Sequence, residues 1–219
     1  MKSSPRFLGV CLLGYVALAF VVMGEGPNGY GVDAMLRKIA KQNDQGVIRN
    51  DQGKVVSVWL CGSFGGEFLE ETNVSLLTNL DSLTIVKLQS SRGQPLTPKA
   101  VASLSGVRNL TNLELMCFFH KLEPGVFTQV CKIKHLKRLY LWGVSPAKEE
   151  FHAITNLQNL TFFGAEGCST FGKPELSLVA TLPRLNSLVV AATMVSGDET
   201  NILKSCLSLT NFVFRAPIQ

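Results

Sequence analysis

Charge is scarce in this chain. Charged residues make up 17% of the 219 positions, below the ~25% of an average globular domain, and no block of five like charges occurs. That excludes a charged, disordered tail and provides no footprint for nucleic acid, although the net charge is +5. The chain has 6 cysteines, too few for a disulfide scaffold, so a hydrophobic core must hold the fold together. Its histidines, His120, His135 and His152, stand far apart, and none belongs to an HExxH string or to a CxxC pairing, so metal-ligand spacing is lacking. The strings GxxxxGKS/T, GxGxxG and GxSxG are absent too, which removes the usual signs of phosphate cradling and serine-hydrolase chemistry. No cofactor is implied.

Apolar residues are plentiful at 46%, enough for one domain with a sizeable core. The first of them are set apart. Lys2 and Arg6 precede an uncharged apolar run from Phe7 to Met23, the layout of a secretory signal: a short positive region, an apolar region, then small residues. Residues 1–24 therefore read as a signal peptide, cut after Gly24 or after Ala19, or as an uncleaved N-terminal anchor. Both readings place the body outside the cytosol, secreted or at the periplasm or cell surface, with membrane contact only through residues 7–23.

The rest of the chain repeats. LTNLDSLTIVKL (77–88), LSGVRNLTNLEL (104–115), VCKIKHLKRLYL (130–141), FHAITNLQNLTF (151–162), VATLPRLNSLVV (179–190) and LKSCLSLTNFVF (203–214) are each apolar at relative positions 1, 4, 7, 10 and 12. A shorter copy is VVSVWL (55–60). The last two apolar positions alternate as in a strand with one face inward, while the positions before them have near-helical spacing. The expected strand pairs are Val58/Leu60, Val86/Leu88, Leu113/Leu115, Leu139/Leu141, Leu160/Phe162, Leu188/Val190 and Phe212/Phe214, at successive offsets of 28, 27, 26, 21, 28 and 24.

Between about residues 55 and 214 this LxxLxxLxL phrase resembles the leucine-rich repeat, and its pattern is closest to divergent secreted bacterial-type repeats. The resemblance implies an α/β leucine-rich-repeat solenoid, with a curved parallel sheet on the concave side and short helices on the convex side, serving as a protein-interaction scaffold. The family usually carries an asparagine after the strand; here that position holds Ser63, Ser91, Phe118, Val144, Ala165, Thr193 and Pro217, so no asparagine ladder exists.

Local signals divide the chain. Thr97-Pro98, Ser145-Pro146 and Lys173-Pro174 read as helix starts, with Thr97 and Ser145 as caps, and Ser196-Gly197-Asp198-Glu199 reads as a capping box. Residues 25–54 form a linker and N-terminal cap: a helix over 33–43 with Asp33 as N-cap and Leu36, Ile39 and Ala40 on one face, then a hairpin over 46–60 turning at Asn50–Gly53. Residues 55–219 form the repeat domain of about seven coils. The last strand has no obvious cap, so its edge is expected to fray or to self-associate.

Strand alternation points the residues flanking the second strand leucine away from the core. One column reads Trp59, Lys87, Glu114, Tyr140, Thr161, Val189, Val213; the next reads Cys61, Gln89, Met116, Trp142, Phe163, Ala191, Arg215. Trp59, Lys87, Glu114, Met116, Tyr140, Trp142 and Phe163 are the candidate binding residues, with Met116, Tyr140, Trp142 and Phe163 as one exposed apolar and aromatic patch. The function this predicts is non-catalytic protein or peptide recognition through the concave face. A glycan-binding or cell-envelope role would use the same aromatics. A thiol enzyme built on Cys117 and His120 is the remaining alternative, without a visible orienting group or oxyanion site. Cys117 and Cys131, neighbours along one coil, are the first pair to consider for a disulfide. Asn73, Asn109 and Asn159 open glycosylation sequons that only a eukaryotic secretory route would use.

Overall fold

The computed structural model describes residues 29–62, 69–90, 95–117 and 122–215. The apolar segment 7–23, His120, Ser63, Ser91, Phe118 and Pro217 lie outside them. No helix among the described residues is long and apolar enough to cross a membrane.

The repeated phrase folds as an open, eight-stranded sheet in strict sequence order. Strand β1 (Val47–Arg49) pairs antiparallel with β2 (Val55–Cys61). From there β3 (Ile85–Ser90), β4 (Asn112–Cys117), β5 (Arg138–Trp142), β6 (Phe162–Glu166), β7 (Ser187–Ala191) and β8 (Asn211–Arg215) add in parallel, each to the one before. Short return helices connect them: α2 (Glu71–Leu76), α3 (Pro98–Ser103), α4 (Val126–Val130), α5 (Lys148–Phe151) and α6 (Lys173–Val179), several extended by a 3-10 turn, with a 3-10 helix alone (Asp198–Ser205) before β8. This is the α/β leucine-rich-repeat solenoid. A single strand-plus-return unit cannot bury its apolar face; stacked units bury it together.

The register corrects one coil. Leu139 pairs with Phe163 and Leu141 with Ala165, so the inward pair of β6 is Phe163/Ala165 and not Leu160/Phe162. Offsets of 24 into β6 and 25 out of it replace the expected 21 and 28. The cause lies in the run itself. Phe151, Ile154, Leu157, Leu160 and Phe163 are all buried and follow each other every three residues, so a frame shifted by three reads equally well. Packing selects the true frame: Phe163 meets Phe171 at 5.8 Å and Phe151 at 6.3 Å between ring centroids, and Phe151 stacks on Phe127 at 5.1 Å. The small Ala165 beside Phe163 keeps the filled volume acceptable at native packing density.

Ties between coils replace the missing asparagine ladder. Two residues before each inward strand position, the hydroxyls of Thr84, Thr111, Thr161 and Thr210 donate to carbonyls of the preceding coil, at Val56, Thr84, Lys137 and Asn186. Two residues earlier, the Asn109 and Asn159 amides donate to Asp81 and Lys134 carbonyls, Ser208 donates to the Leu185 carbonyl, and a ring nitrogen of His135 meets the Val107 carbonyl at 3.3 Å. Glycosylation at Asn109 or Asn159 would remove such a tie. With the corrected frame, the asparagine position of the fifth coil is Cys168 rather than Ala165, and its thiol donates to the Leu141 carbonyl of the coil before at 3.5 Å. Each bond contributes on the order of 1 kcal/mol, yet all act across the same coil boundaries.

Helix starts behave as their chemistry allows. Thr97 caps α3 by accepting from the Ala100 N–H, with Pro98 as the first helical residue. Ser145 does not cap α5; its hydroxyl bonds Ser169 of the next coil at 2.8 Å, and the residue before the helix is Ala147. Glu150 instead reaches back a coil and accepts from Gly125 N–H at 2.5 Å, at the start of α4. Glu175 accepts from the Gly172 N–H, and Glu199 from the Ser196 N–H, each at 2.9 Å.

Before the sheet, α1 (Gly29–Gln42) starts four residues ahead of the expected 33, which places Asp33 inside the helix rather than at its cap. Its buried face is Val32, Met35, Leu36 and Ile39, whereas Ala40 is exposed. Cys61, Cys117, Cys131, Cys168 and Cys206 are all buried thiols; Cys117 and Cys131 do not form the bridge considered above. Burial pushes the Cys168 thiol up to about 12 and raises that of Cys131 as well, the nearby Glu150 adding to the latter.

Candidate functional site

Because each strand side chain alternates, the face of the sheet turned away from the core carries three columns. The first is Ser57, Ile85, Asn112, Arg138, Phe162, Ser187, Asn211; the second is Trp59, Lys87, Glu114, Tyr140, Gly164, Val189, Val213; the third is Cys61, Gln89, Met116, Trp142, Glu166, Ala191, Arg215. Gly164 and Glu166 take the places that the shifted frame assigned to Thr161 and Phe163.

This changes the expected patch. Phe163 is 0% exposed and belongs to the core, because it points inward beside Leu139. Met116 shares the outward column with Trp142, but it is only 8% exposed and presents little surface. Trp59 is half-buried, with its indole Nε1 enclosed and without a hydrogen-bond partner among the described residues. Trp142, at 41% exposure, is the large aromatic that remains open to solvent in the middle of the face.

Around Trp142 the polar groups are held in place. Lys87 Nζ and Glu114 Oε2 form an ion pair at 2.9 Å across β3 and β4, both side chains about one-third exposed. The Tyr140 hydroxyl donates to a carboxylate oxygen of Glu166 on the next strand. Tyr140 reaches that carboxylate only because Gly164 lies under its ring: a Cβ there would stand 2.1 Å from Tyr140 Cδ2. The ring of Tyr140 also stacks on Phe162, centroids 6.2 Å apart, and the Arg138 guanidinium sits 4.0 Å above the Phe162 ring. Burial, and then the bond to Glu166, raise the Tyr140 phenol above its ordinary range, so it remains a neutral donor.

Asn112, Leu113, Glu114, Arg138, Tyr140 and Phe162 line a shallow depression of about 240 Å³ beside this network. It is partly open to solvent and lined by both polar and apolar groups. Chemically the arrangement offers a flat aromatic, fixed donors and acceptors of both charges, and little freedom to lose on contact. Such a surface suits recognition by another flat surface.

Sequence reasoning placed Lys87, Glu114, Tyr140 and Trp142 in the columns where the register has them, and missed Arg138, Phe162, Gly164 and Glu166. The signal that could have found Phe162, Gly164 and Glu166 was the extra apolar residue three positions ahead of most copies, as at Val74, Val101, Phe127 and Leu176, which makes Phe151 the forerunner of its copy and not its first position; Arg138, on the correctly framed β5, stands in the outward column two residues earlier. Cys117 is buried, so the thiol of the enzyme alternative is not presented on this face, and its companion His120 lies outside the described residues. Among the described residues no three His, Cys, Asp or Glu side chains gather as a metal ion would require.

No protein-family model matches the chain, and no curated protein matches it by sequence. Solved structures do. An internalin from Listeria monocytogenes is similar at a TM-score of 0.49 and 15% identity, over 75% of this chain and 43% of that one. The PEPR1–AtPEP1 structure is similar at 0.42 and 16% identity, over 76% and 22% of the two chains. A leucine-rich-repeat protein of Leptospira interrogans is similar at 0.41 and 15% identity, over 74% and 45%. The chain spans less than half the length of each.

Proposed function

Proceeding from a chain of the leucine-rich-repeat type, we propose that it is a non-catalytic recognition module, exported from the cytosol, that holds a protein or peptide partner against the open face of its sheet. The observation that carries this reading is Trp142: a large aromatic side chain left 41% exposed beside an ordered set of polar groups. A solvated sheet gains nothing from such exposure, and tryptophan and tyrosine are the residues on which interfaces most often depend. Export is supported by the charged start and uncharged apolar run of residues 2–23.

The test is Trp142→Ala in the otherwise intact protein. Truncation of an exposed ring is expected to change stability by less than ~0.5 kcal/mol, while the partner captured by the wild-type protein from its native extracytoplasmic fraction is lost. A fall in stability of several kcal/mol would instead show a packing role. The flat aromatic also suits a sugar ring, and quenching of tryptophan fluorescence by soluble neutral oligosaccharides would transfer the same face to a glycan partner.

A further inference from the structure

The stacked coils also build an edge. The turn that leads into each strand lies beside the equivalent turn of its neighbours, as the bonds from Asn109 to Asp81, from His135 to Val107 and from Asn159 to Lys134 show. Along this edge Arg108, Lys132, Lys134, Lys137 and Arg184 are all exposed. They stand on the turns into β4, β5 and β7, and the turn into β6 between them carries uncharged polar residues. Arg108 and Lys134 occupy equivalent positions on adjacent coils, and Arg184 Nη1 donates to Asn159 Oδ1 at 2.8 Å, the residue whose amide in turn donates to the Lys134 carbonyl. None of the five is in an ion pair among the described residues. The acidic residue on the same stretch of turns is Asp81, at its N-terminal end.

The acids are elsewhere. Glu71, Glu149, Glu150, Glu175, Asp198 and Glu199 stand in the first turns of the return helices, where carboxylates complement the helix N-terminus. The C-terminal end of α4 accounts for Lys132 at most; the other four cations lie beyond the last turn of any helix. Unpaired like charges a coil apart repel one another, and this cost is offset only when counter-charge is bound.

We propose that this edge is a binding strip for an acidic polysaccharide chain, separate from the open face. Its length across four coils, at roughly 4.8 Å per strand, fits an extended polyanion better than a single phosphate or carboxylate. Among the described residues of these turns there is no Phe, Tyr or Trp to stack a base, which disfavours single-stranded nucleic acid. Between the cations stand uncharged polar groups, Asn156, Gln158 and Thr181, suited to hydroxyls.

The test uses the full chain, a heparin fragment as the sulfated polysaccharide, and an oligothymidylate of matched charge as competitor. Replacing Lys132, Lys134 and Lys137 by glutamine is expected to raise the heparin Kd about tenfold or more at ~0.15 M salt, with the melting midpoint unchanged. Lys99→Gln with Lys148→Gln, on the helical side, is expected to change it less than about twofold by the same screening argument. Arg108→Gln with Lys134→Gln gives a second reading of the strip if the triple variant fails to fold. Equal affinity in wild type and strip variants, or equal loss in the helical-side control, overturns the proposal. So does tighter binding of the oligothymidylate, which would make the strip a nucleic-acid site. Trp142→Ala leaves heparin binding unchanged, so the two surfaces stand or fall apart.

Discussion

Val58 and Leu60 in the first coil and Phe212 and Phe214 in the last occupy the same two inward positions of the repeat, yet their surroundings differ. Over the first coil, β1 pairs with β2, and the buried face of α1 adds Val32, Met35, Leu36 and Ile39 to the core, so that Val58 and Leu60 are fully covered. At the other end nothing among the described residues covers β8: Phe212 is 36% exposed, Phe214 is half-buried, and Leu207 on the preceding turn is 96% exposed. The same apolar phrase therefore supplies core in one place and surface in the other. Burial comes from the neighbour, and a repeat at an end has only one.

The sharpest way to break this comparison is to truncate equivalent phenylalanines. Phe163→Ala empties a site enclosed by Phe151 and Phe171 and is expected to cost ~3–5 kcal/mol in urea unfolding. Phe212→Ala, two coils later in the same row, is expected to cost ~1 kcal/mol or less. Equal losses would mean that the last coil is packed as tightly as the middle.

Alkaline pH tests the covered coils from another side. The Cys131 and Cys168 thiols are held neutral by burial, above the ordinary value of 9.0. Above that value the unfolded chain ionises while the folded one does not. Stability from these groups is therefore complete below about 9 and is lost as pH rises toward about 12. A loss on the order of a few kcal/mol by pH ~11 is expected, and Cys168→Ser, keeping a donor for the Leu141 carbonyl, should flatten that slope.

The smallest effect concerns the joint between β7 and β8. Gly143, Gly167 and Ala192 follow β5, β6 and β7 at the same coil position with φ of 62°, 64° and 48°, and each N–H donates to the next coil. Alanine there is strained, whereas glycine is not. Ala192→Gly is expected to stabilise by up to ~1 kcal/mol and to slow amide exchange in β8 relative to β7. Unchanged exchange would place the looseness of the last coil in its uncovered side chains alone.

Most of the architecture was legible before any coordinates. Period-two pairs such as Leu113/Leu115 mark strands, Thr97-Pro98 marks a helix start, and Gly46 to Gly53 marks the hairpin, because each of these signals is carried by backbone and side-chain chemistry within a few residues. The outward columns were legible where the frame was right, at Lys87, Glu114, Tyr140 and Trp142. The frame failed at β6, where Thr161 and Phe163 were taken for the outward residues and Phe162, Gly164 and Glu166 were overlooked. Ser145 misled for a related reason, since its hydroxyl finds Ser169 across the coil boundary rather than an N–H on its own helix.

The order of the amino acids by itself determined that this protein winds into stacked coils, how many there are, and which kinds of residue turn inward, because those follow from the spacing of apolar side chains along one chain. Only the tertiary structure decided which third residue of the Phe151–Phe163 run enters the sheet, which carbonyl each threonine and Cys168 ties, and that five cations line one edge. A run with period three is unchanged by a slip of three, and only pairing with Leu139 on one side and Leu188 on the other removes that degeneracy.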